Sequence, residues 1–102
     1  MEYILKCNYM NVERFRWDEN NVAHIARHHV APDEAEEVLA SGRRIIWRAG
    51  ENRYRALGRT EAGRYLFVVF DYYKDEKAAY VVTAREQDKK ERKLYKRMVS
   101  QR

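Results

Sequence analysis

The segment RYLFVVFDY, residues 64–72, constrains the fold more than any other part of this chain. Most of its residues are β-branched or aromatic, the types that favour strands. An apolar run of this kind is typical of a central strand that is buried on both faces. Segments of similar character predict an antiparallel sheet around it, made from Arg43–Arg48, Asn52–Arg59 and Lys77–Arg85, with turns at Thr60–Gly63 and Tyr73–Glu76 and a short separate strand at Arg14–Trp17.

A first helix is predicted directly after the short strand. Asp18 supplies a side-chain acceptor for the free N–H groups of a first helical turn, so the helix is expected over the next ten residues. A periodicity of 3.6 residues places Val22, Ile25 and His29 on its inward face.

Two further helices complete the pattern. The second opens at Ala31–Glu34, where proline suits the first turn because it has no N–H to leave unpaired, and Gly42 is its expected cap. The third follows Asp88, which has capping-box spacing to Glu91. Its inward face is predicted to be Leu94, Tyr95, Met98 and Val99. A short strand, two helices, antiparallel strands and a helix define an α+β domain.

Length and charge narrow the class of protein. The 102 residues fit a single domain over residues 1–102. The chain has 21 Lys+Arg against 16 Asp+Glu, a net charge of +5. Arg43–Arg64 holds arginine but no lysine, and Lys89–Arg102 adds a second basic run. This distribution favours a polyanionic partner, most often nucleic acid, and the alternative is a protein that is basic by chance.

Several classes are disfavoured. Cys7 is the single cysteine, so an internal disulfide and a cysteine-cage metal site are excluded. No apolar run approaches the roughly 20 residues of a membrane span, and the start lacks the apolar stretch of a signal peptide. We therefore expect a cytoplasmic protein without a membrane partner.

The three histidines lie close together in the first predicted helix. His24 and His28 are four residues apart, which permits metal binding, but the pattern lacks the glutamate of H-E-x-x-H and a third ligand, so no metal is predicted. His28 is a candidate acid–base group, since an unperturbed histidine has a pKa of about 6.5. The alternative is a structural histidine near the helix end. His29 is expected to pack or cap, and His24 to be solvated.

The order and spacing of four strings resemble the BrnT family of toxins from bacterial type II toxin–antitoxin systems. The strings are FRWDENNVAHIARHHV, APDEAEEVL, NRYRALGRTEAGRYLFVVF and VVTAREQDKKERKLY. The resemblance covers residues 15–96 and leaves residues 1–10 without a counterpart. It implies a RelE-like fold and a small ribonuclease that needs no metal or other cofactor. It also implies RNA as substrate, a BrnA-like ribbon-helix-helix antitoxin as partner, and promoter DNA bound only through that antitoxin.

Two positions depart from the family pattern. The family's Lys-His-Gly-Val is Arg27–Val30 here, so His29 stands where glycine would tolerate a left-handed cap at lower strain. A basic residue expected near Ala79–Tyr80 is missing. These departures bear on activity rather than on the fold.

Arginines are the predicted phosphate ligands. Metal-free RNA cleavage uses the 2′-OH as nucleophile, and fixed cations must then stabilise the charge on the phosphate. Arginine suits this task because its planar fork stays charged and binds two oxygens. Arg53, Arg64 and Arg85 match arginines of the family and lie in or at the ends of strands, so they are predicted to form the catalytic site with His28. Further RNA-binding candidates are Arg55, Arg59, Lys89 and Arg92.

The alternatives to this catalytic site remain open. Arg53, Arg64 and Arg85 would converge in a ribonuclease, but in a plain structural domain they would face apart and pair with acids such as Glu51 or Asp71. A third interpretation is a RelE-like module that binds antitoxin or RNA and has lost cleavage.

Two other side chains have both a functional and a structural interpretation. Glu91 is either a general base or only the partner in a capping box. Tyr80 either stacks on an RNA base or packs in the core with its hydroxyl at the edge. Strict alternation along the strand places Arg85 with Thr83 and Val81, and Tyr80 on the opposite face.

Overall fold

The structure is a computed structural model that describes residues 10–101. Its elements are β1 (Arg14–Arg16), α1 (Glu19–Ala26), α2 (Pro32–Ala40), β2 (Ile45–Arg48), β3 (Arg53–Arg59), β4 (Tyr65–Tyr73), β5 (Ala78–Glu86) and α3 (Lys89–Ser100). This order confirms the α+β prediction. Cys7 lies outside the described residues.

The strands form one five-stranded sheet in the order β1-β5-β4-β3-β2. β4 is the middle strand, as its apolar sequence predicts. β2 to β5 form an antiparallel meander, and β1 joins the free edge of β5 in parallel, with Arg14 opposite Ala78.

The two faces of the sheet are covered to different extents. On what we call the closed face, α1 and α2 bury Ile25, Val38 and Leu39 against β3, β4 and β5. On the open face, α3 packs Tyr95 against β2 and β3, with Leu94, Met98 and Val99 around it as predicted. A groove lined by Arg53, Arg55 and Arg85 lies on the open face, beside the N-terminal end of α3.

The inward face of α1 differs from the prediction. Ile25 is buried, but Val22 is 37% exposed and His29 is exposed. Asn21 is buried instead and donates to main-chain carbonyls of β1 and β5, each at 3.0 Å. Periodicity does not predict this arrangement, because a buried asparagine becomes favourable only when distant carbonyls are within reach.

The C-terminal end of α1 explains the position of His29. The N–H of His29 donates to the carbonyl of Ala26 at 3.0 Å, and that of Val30 donates to Ile25 at 3.1 Å. These bonds form a Schellman motif, which requires a left-handed residue. His29 takes that conformation, with φ of 60°, so the strain expected from the missing glycine is present.

A β-bulge alters the faces of β5. Thr83 pairs with Val69, but Val81 pairs with Phe70, so Val81 and Thr83 point to opposite faces. Tyr80 therefore shares the open face with Arg85. The prediction from strict alternation is wrong at this point.

Candidate nucleic-acid interface

An open groove of about 620 Å³ lies beside the first turn of α3 on the open face. Arg53 and Arg55 reach it from β3, and Arg85 reaches it from β5. Their common face follows from alternation in β3 and from the pairing of Arg85 with Phe67. The groove is completed by Trp47, Ala49, Phe67, Val69, Asp88, Lys90, Glu91 and Leu94. Three of the predicted RNA ligands therefore share one surface.

Arg53 occupies one end of this surface and is held by Asp71. Its Nε and Nη2 atoms donate to the two carboxylate oxygens at 2.7 and 3.0 Å. The hydrogen bond and the charge of Asp71 raise the pKa of Arg53. The Arg53 side chain is 48% exposed, so water and ligands have access to it.

Arg85 is held by α3. Its two terminal nitrogens donate to the oxygens of Glu91 at 2.8 and 2.9 Å, and its guanidinium lies 4.3 Å from the Phe67 ring centroid. The hydrogen bond to Glu91 is the main cause of the raised pKa of Arg85. Glu91 also accepts the N–H of Asp88 at 2.9 Å, which confirms the predicted capping box.

Arg55 differs from the other two groove arginines. Its side chain is exposed and makes no hydrogen bond or ion pair with any residue in 10–101. Its cross-strand neighbours are Trp47 and Val69, which offer no acceptor side chain. All of its guanidinium donors are therefore available to a ligand.

Arg64 does not join these arginines. It lies on the closed face, where one terminal nitrogen donates to both oxygens of Glu34 at 2.8 and 3.0 Å and to the His29 carbonyl at 2.8 Å. Its other terminal nitrogen donates to Glu86 at 3.2 Å. The bond to Glu34 is the main cause of the raised pKa of Arg64. The expected convergence of Arg53, Arg64 and Arg85 is absent.

His28 is also apart from the groove. It is exposed at the end of α1, and its nearest ring neighbour is His24, at 5.8 Å between centroids. Within residues 10–101 no three His, Cys, Asp or Glu side chains come together as a metal site.

The other RNA-binding candidates lie on α3 or, for Arg59, at the end of β3. Lys89 is exposed in its first turn, and Arg92 lies 4.9 Å from the Tyr65 ring centroid. The Arg59 guanidinium lies 5.6 Å from the same centroid, and the Lys96 ammonium lies 5.3 Å from it. Lys96 was not among the predicted RNA ligands, although its i, i+4 spacing from Arg92 places both on one side of the helix.

A larger cavity, about 850 Å³, lies beside Tyr54 and Tyr72. Its charged lining contains more carboxylates than cations, which disfavours a phosphate ligand. The charged residues are Arg48, Lys74, Glu51, Asp75 and Glu76.

An α+β domain with an arginine-lined groove on the open face of its sheet has the features of a small nucleic-acid-binding protein. The family model described as "Ribonuclease toxin, BrnT, of type II toxin-antitoxin system" matches residues 17–91, well over half of the chain. The chain therefore belongs to the BrnT family of ribonuclease toxins, and the resemblance found in the sequence is confirmed. Membership implies RNA as substrate and an antitoxin as partner. A search of curated proteins finds no match. Among residues 10–101, no helix has both the length and the apolar character that crossing a bilayer requires.

Proposed function

We propose that this protein is a metal-independent endoribonuclease and that Arg53, Arg55 and Arg85 form its phosphate site. The observation that carries the proposal is their position in one groove, on two strands of one sheet. Side chains on strands are held more firmly than side chains on loops, which favours precise placement of a phosphate.

The proposed reaction requires no cofactor. The RNA 2′-OH loses its proton and attacks the adjacent phosphorus, so a bond from O2′ to phosphorus forms and the bond from phosphorus to O5′ breaks. O5′ takes up a proton from water as it leaves, which balances the proton lost by the 2′-OH. The products are a 2′,3′-cyclic phosphate and a 5′-OH end. The arginines stabilise the negative charge that builds on the phosphate oxygens.

The ion pairs of the groove indicate which residues bind the phosphate and which accepts the 2′-OH proton. Arg55 binds the incoming phosphate first, because it has no carboxylate to exchange within the described residues. Arg85 then turns part of its fork from Glu91 to the phosphate. This releases one Glu91 oxygen to accept the 2′-OH proton, so Glu91 serves as both capping residue and general base. His28 has no role in this mechanism, because it lies beyond the groove.

The test compares the wild type with Arg55→Gln on a mixed RNA in EDTA. We expect metal-resistant cleavage by the wild type, a cyclic phosphate at the new 3′ end, and a loss of about 100-fold or more in the variant. Arg27→Gln is the matched control, since Arg27 is exposed at the end of α1 and lies outside the groove. Equal cleavage by wild type and Arg55→Gln, or cleavage that needs added metal, would overturn the proposal.

The paired arginines favour a second candidate function. Asp71 and Glu91 already neutralise Arg53 and Arg85, as in a structural domain. On this view the protein is a RelE-like module that binds RNA or antitoxin without cleavage. A clean wild-type preparation that binds RNA but leaves it intact would support this second function.

The proposed partner is a BrnA-like ribbon-helix-helix antitoxin in the cytoplasm. Family membership supports an antitoxin, and the basic groove supports an acidic or hydrogen-bond-accepting segment that covers it. The complex would bind promoter DNA through the antitoxin. Addition of purified antitoxin should stop cleavage, and promoter DNA should be bound only in samples that contain the antitoxin.

A further inference from the structure

The other flank of α3 carries a concentration of positive charge around one aromatic ring. The Arg59 and Arg92 guanidinium carbons lie 5.6 and 4.9 Å from the Tyr65 ring centroid, and the Lys96 Nζ lies 5.3 Å from it. We call these four residues the Tyr65 cluster. None of the three cations has a hydrogen bond or ion pair with a residue in 10–101. In contrast, Arg53, Arg64 and Arg85 are each held by carboxylates.

Tyr65 explains how three like charges are held together. Its ring faces are electron-rich and attract cations, which offsets part of their mutual repulsion. The ring is itself fixed by an edge-to-face contact with Tyr95, at 6.1 Å between centroids, and Tyr95 is buried. The cations are therefore gathered before any ligand arrives, and an anion would relieve the remaining repulsion.

A cavity of about 500 Å³ adjoins the cluster. Its lining includes Arg43, Arg59, Tyr65 and Lys96, with Glu61 as its acidic side chain. Arginine forks bind phosphate oxygens in pairs, and the space is open to solvent, so a phosphodiester fits the chemistry.

We propose that the Tyr65 cluster is a second phosphate-binding site, which holds the RNA backbone at a distance from the cleavage groove. This inference rests on the proposed ribonuclease function. Glu91 and Leu94 on one flank of α3 line the groove, and Tyr95 and Lys96 on the other flank line the second cavity. One RNA strand crossing α3 reaches both sites, with Lys89 exposed on the same helix. RNA is the favoured occupant because the groove on the other flank of α3 is the proposed RNA cleavage site. Binding of an acidic peptide to the cluster is the alternative that the test distinguishes.

The substrate class follows from this placement. RNA long enough to cross α3 binds both sites, whereas a very short RNA binds the groove alone. Long RNA should therefore bind more tightly and with a steeper dependence on salt, because each additional phosphate contact releases counterions.

The experiment uses 2′-O-methyl RNA, which lacks the attacking hydroxyl and stays intact. Arg59→Gln, Arg92→Gln and Lys96→Gln are combined in one variant. The control combines Arg27→Gln, Lys74→Gln and Lys77→Gln, which removes the same net charge at exposed positions that line neither the groove nor the second cavity and do not lie on α3. RNAs of about 4 and about 16 nucleotides span the usual size range of single-strand sites.

The cluster variant should bind the long RNA at least about 10-fold more weakly than the control variant. Its slope of log affinity against log salt should fall by about 2, as expected for three lost contacts at about 0.7 each. Affinity for the short RNA, and cleavage of a short unmodified RNA, should match the control. Tyr65→Phe keeps the ring and should bind normally, whereas Tyr65→Leu should weaken long-RNA binding without any change in charge.

Two results would overturn the inference. Equal binding of long RNA by the cluster and control variants means that the cluster is no phosphate site, and the ribonuclease proposal then stands if Arg55→Gln still abolishes cleavage. Polyglutamate serves as the probe for an acidic protein partner. If the cluster variant loses affinity for polyglutamate but binds RNA as the control does, the cluster would be assigned to such a partner. Failure of the wild type to cleave any RNA would remove the proposed function, and the 2′-O-methyl binding assay would still decide whether the cluster holds RNA.

Discussion

The two faces of the sheet use the same amino acid in different ways. On the closed face, Arg64 donates to Glu34, Glu86 and the His29 carbonyl, and so connects α1, α2 and β5. On the open face, Arg55 contacts no acceptor within the described residues. The difference comes from the elements packed on each face, since α1 and α2 bring acceptors to Arg64 and nothing in residues 10–101 brings one to Arg55.

The carboxylate-paired arginines extend this comparison. In the Arg64–Glu34 pair the side chains are 26% and 24% exposed, and in the Arg53–Asp71 pair they are 48% and 21% exposed. The Arg64–Glu34 pair connects α2 to the sheet and is largely shielded from solvent, so its opening would loosen the closed face. A cross-strand pair at an open groove exchanges partners at lower cost, because solvent already reaches the arginine. Position, rather than pairing itself, separates the structural Arg64 from Arg53, the proposed phosphate ligand.

The largest effect on stability is expected where α2 approaches the sheet. A Cβ at Gly58 would lie 2.6 Å from a methyl carbon of Val38, which is fully buried. Gly58→Ala should therefore lower the free energy of unfolding by about 1–3 kcal/mol, measured by urea denaturation.

Gly42→Ala is the matched control for this substitution, because a Cβ there meets nothing within 4 Å. Its effect should stay within about 0.5 kcal/mol. If the two alanine variants were equally stable, α2 would not pack tightly against β3 at Gly58, and the closed face would not be the more closely packed face.

The sequence predicts the sheet well because strand signals are local. The predicted Asn52–Arg59 and Lys77–Arg85 correspond to Arg53–Arg59 and Ala78–Glu86. The bulge in β5 was not predictable, because it depends on how β5 aligns with β4, and it turned Tyr80 onto the open face. The inward face of α1 was mispredicted for the same kind of reason, since Asn21 is buried where its side chain donates to carbonyls of β1 and β5.

The candidate site was predictable only in part. Alternation places Arg53 and Arg55 on one face of β3, as the structure has them. Arg64 comes before β4, and its orientation depends on Glu34, which is far away in the sequence. The Tyr65 cluster could not be predicted, because no local sequence pattern shows that α3 packs over that tyrosine.

The second prediction compares Arg64→Gln with Arg53→Gln directly. Arg64→Gln should lower the free energy of unfolding by about 1–2 kcal/mol, because Glu34 loses its cation, while Arg53→Gln should cost less than about 1 kcal/mol. RNA cleavage should show the reverse order, with a loss of about 100-fold only in Arg53→Gln, assayed where both variants are folded. Equal effects on both properties would remove the distinction between the faces.

Acid provides an independent check on the closed face. Burial raises the pKa of Glu34, but the Ala31 N–H and the Arg64 guanidinium outweigh it, so the pKa lies below its ordinary 4.5. A lowered pKa in the folded state gives stability that is present above the unfolded pKa and is lost as pH falls through the folded pKa. The stability difference between wild type and Arg64→Gln should thus persist at neutral pH and shrink below pH 4.5. A difference that is independent of pH would mean that Arg64 acts through the His29 carbonyl and Glu86 instead.

The smallest effect is expected at the edge of the closed face, where His29 has a φ of 60°. His29→Gly should raise the free energy of unfolding by about 0.5–1 kcal/mol, since relief of left-handed strain exceeds the greater freedom of glycine in the unfolded chain. His28→Gly is the control with the opposite sign, because φ at His28 is not positive and glycine there adds only unfolded-state entropy. If both glycine variants lost stability equally, His29 would not be strained in the Schellman turn. The hydrogen bond from Arg64 to the His29 carbonyl would then be sufficient to fix the end of α1.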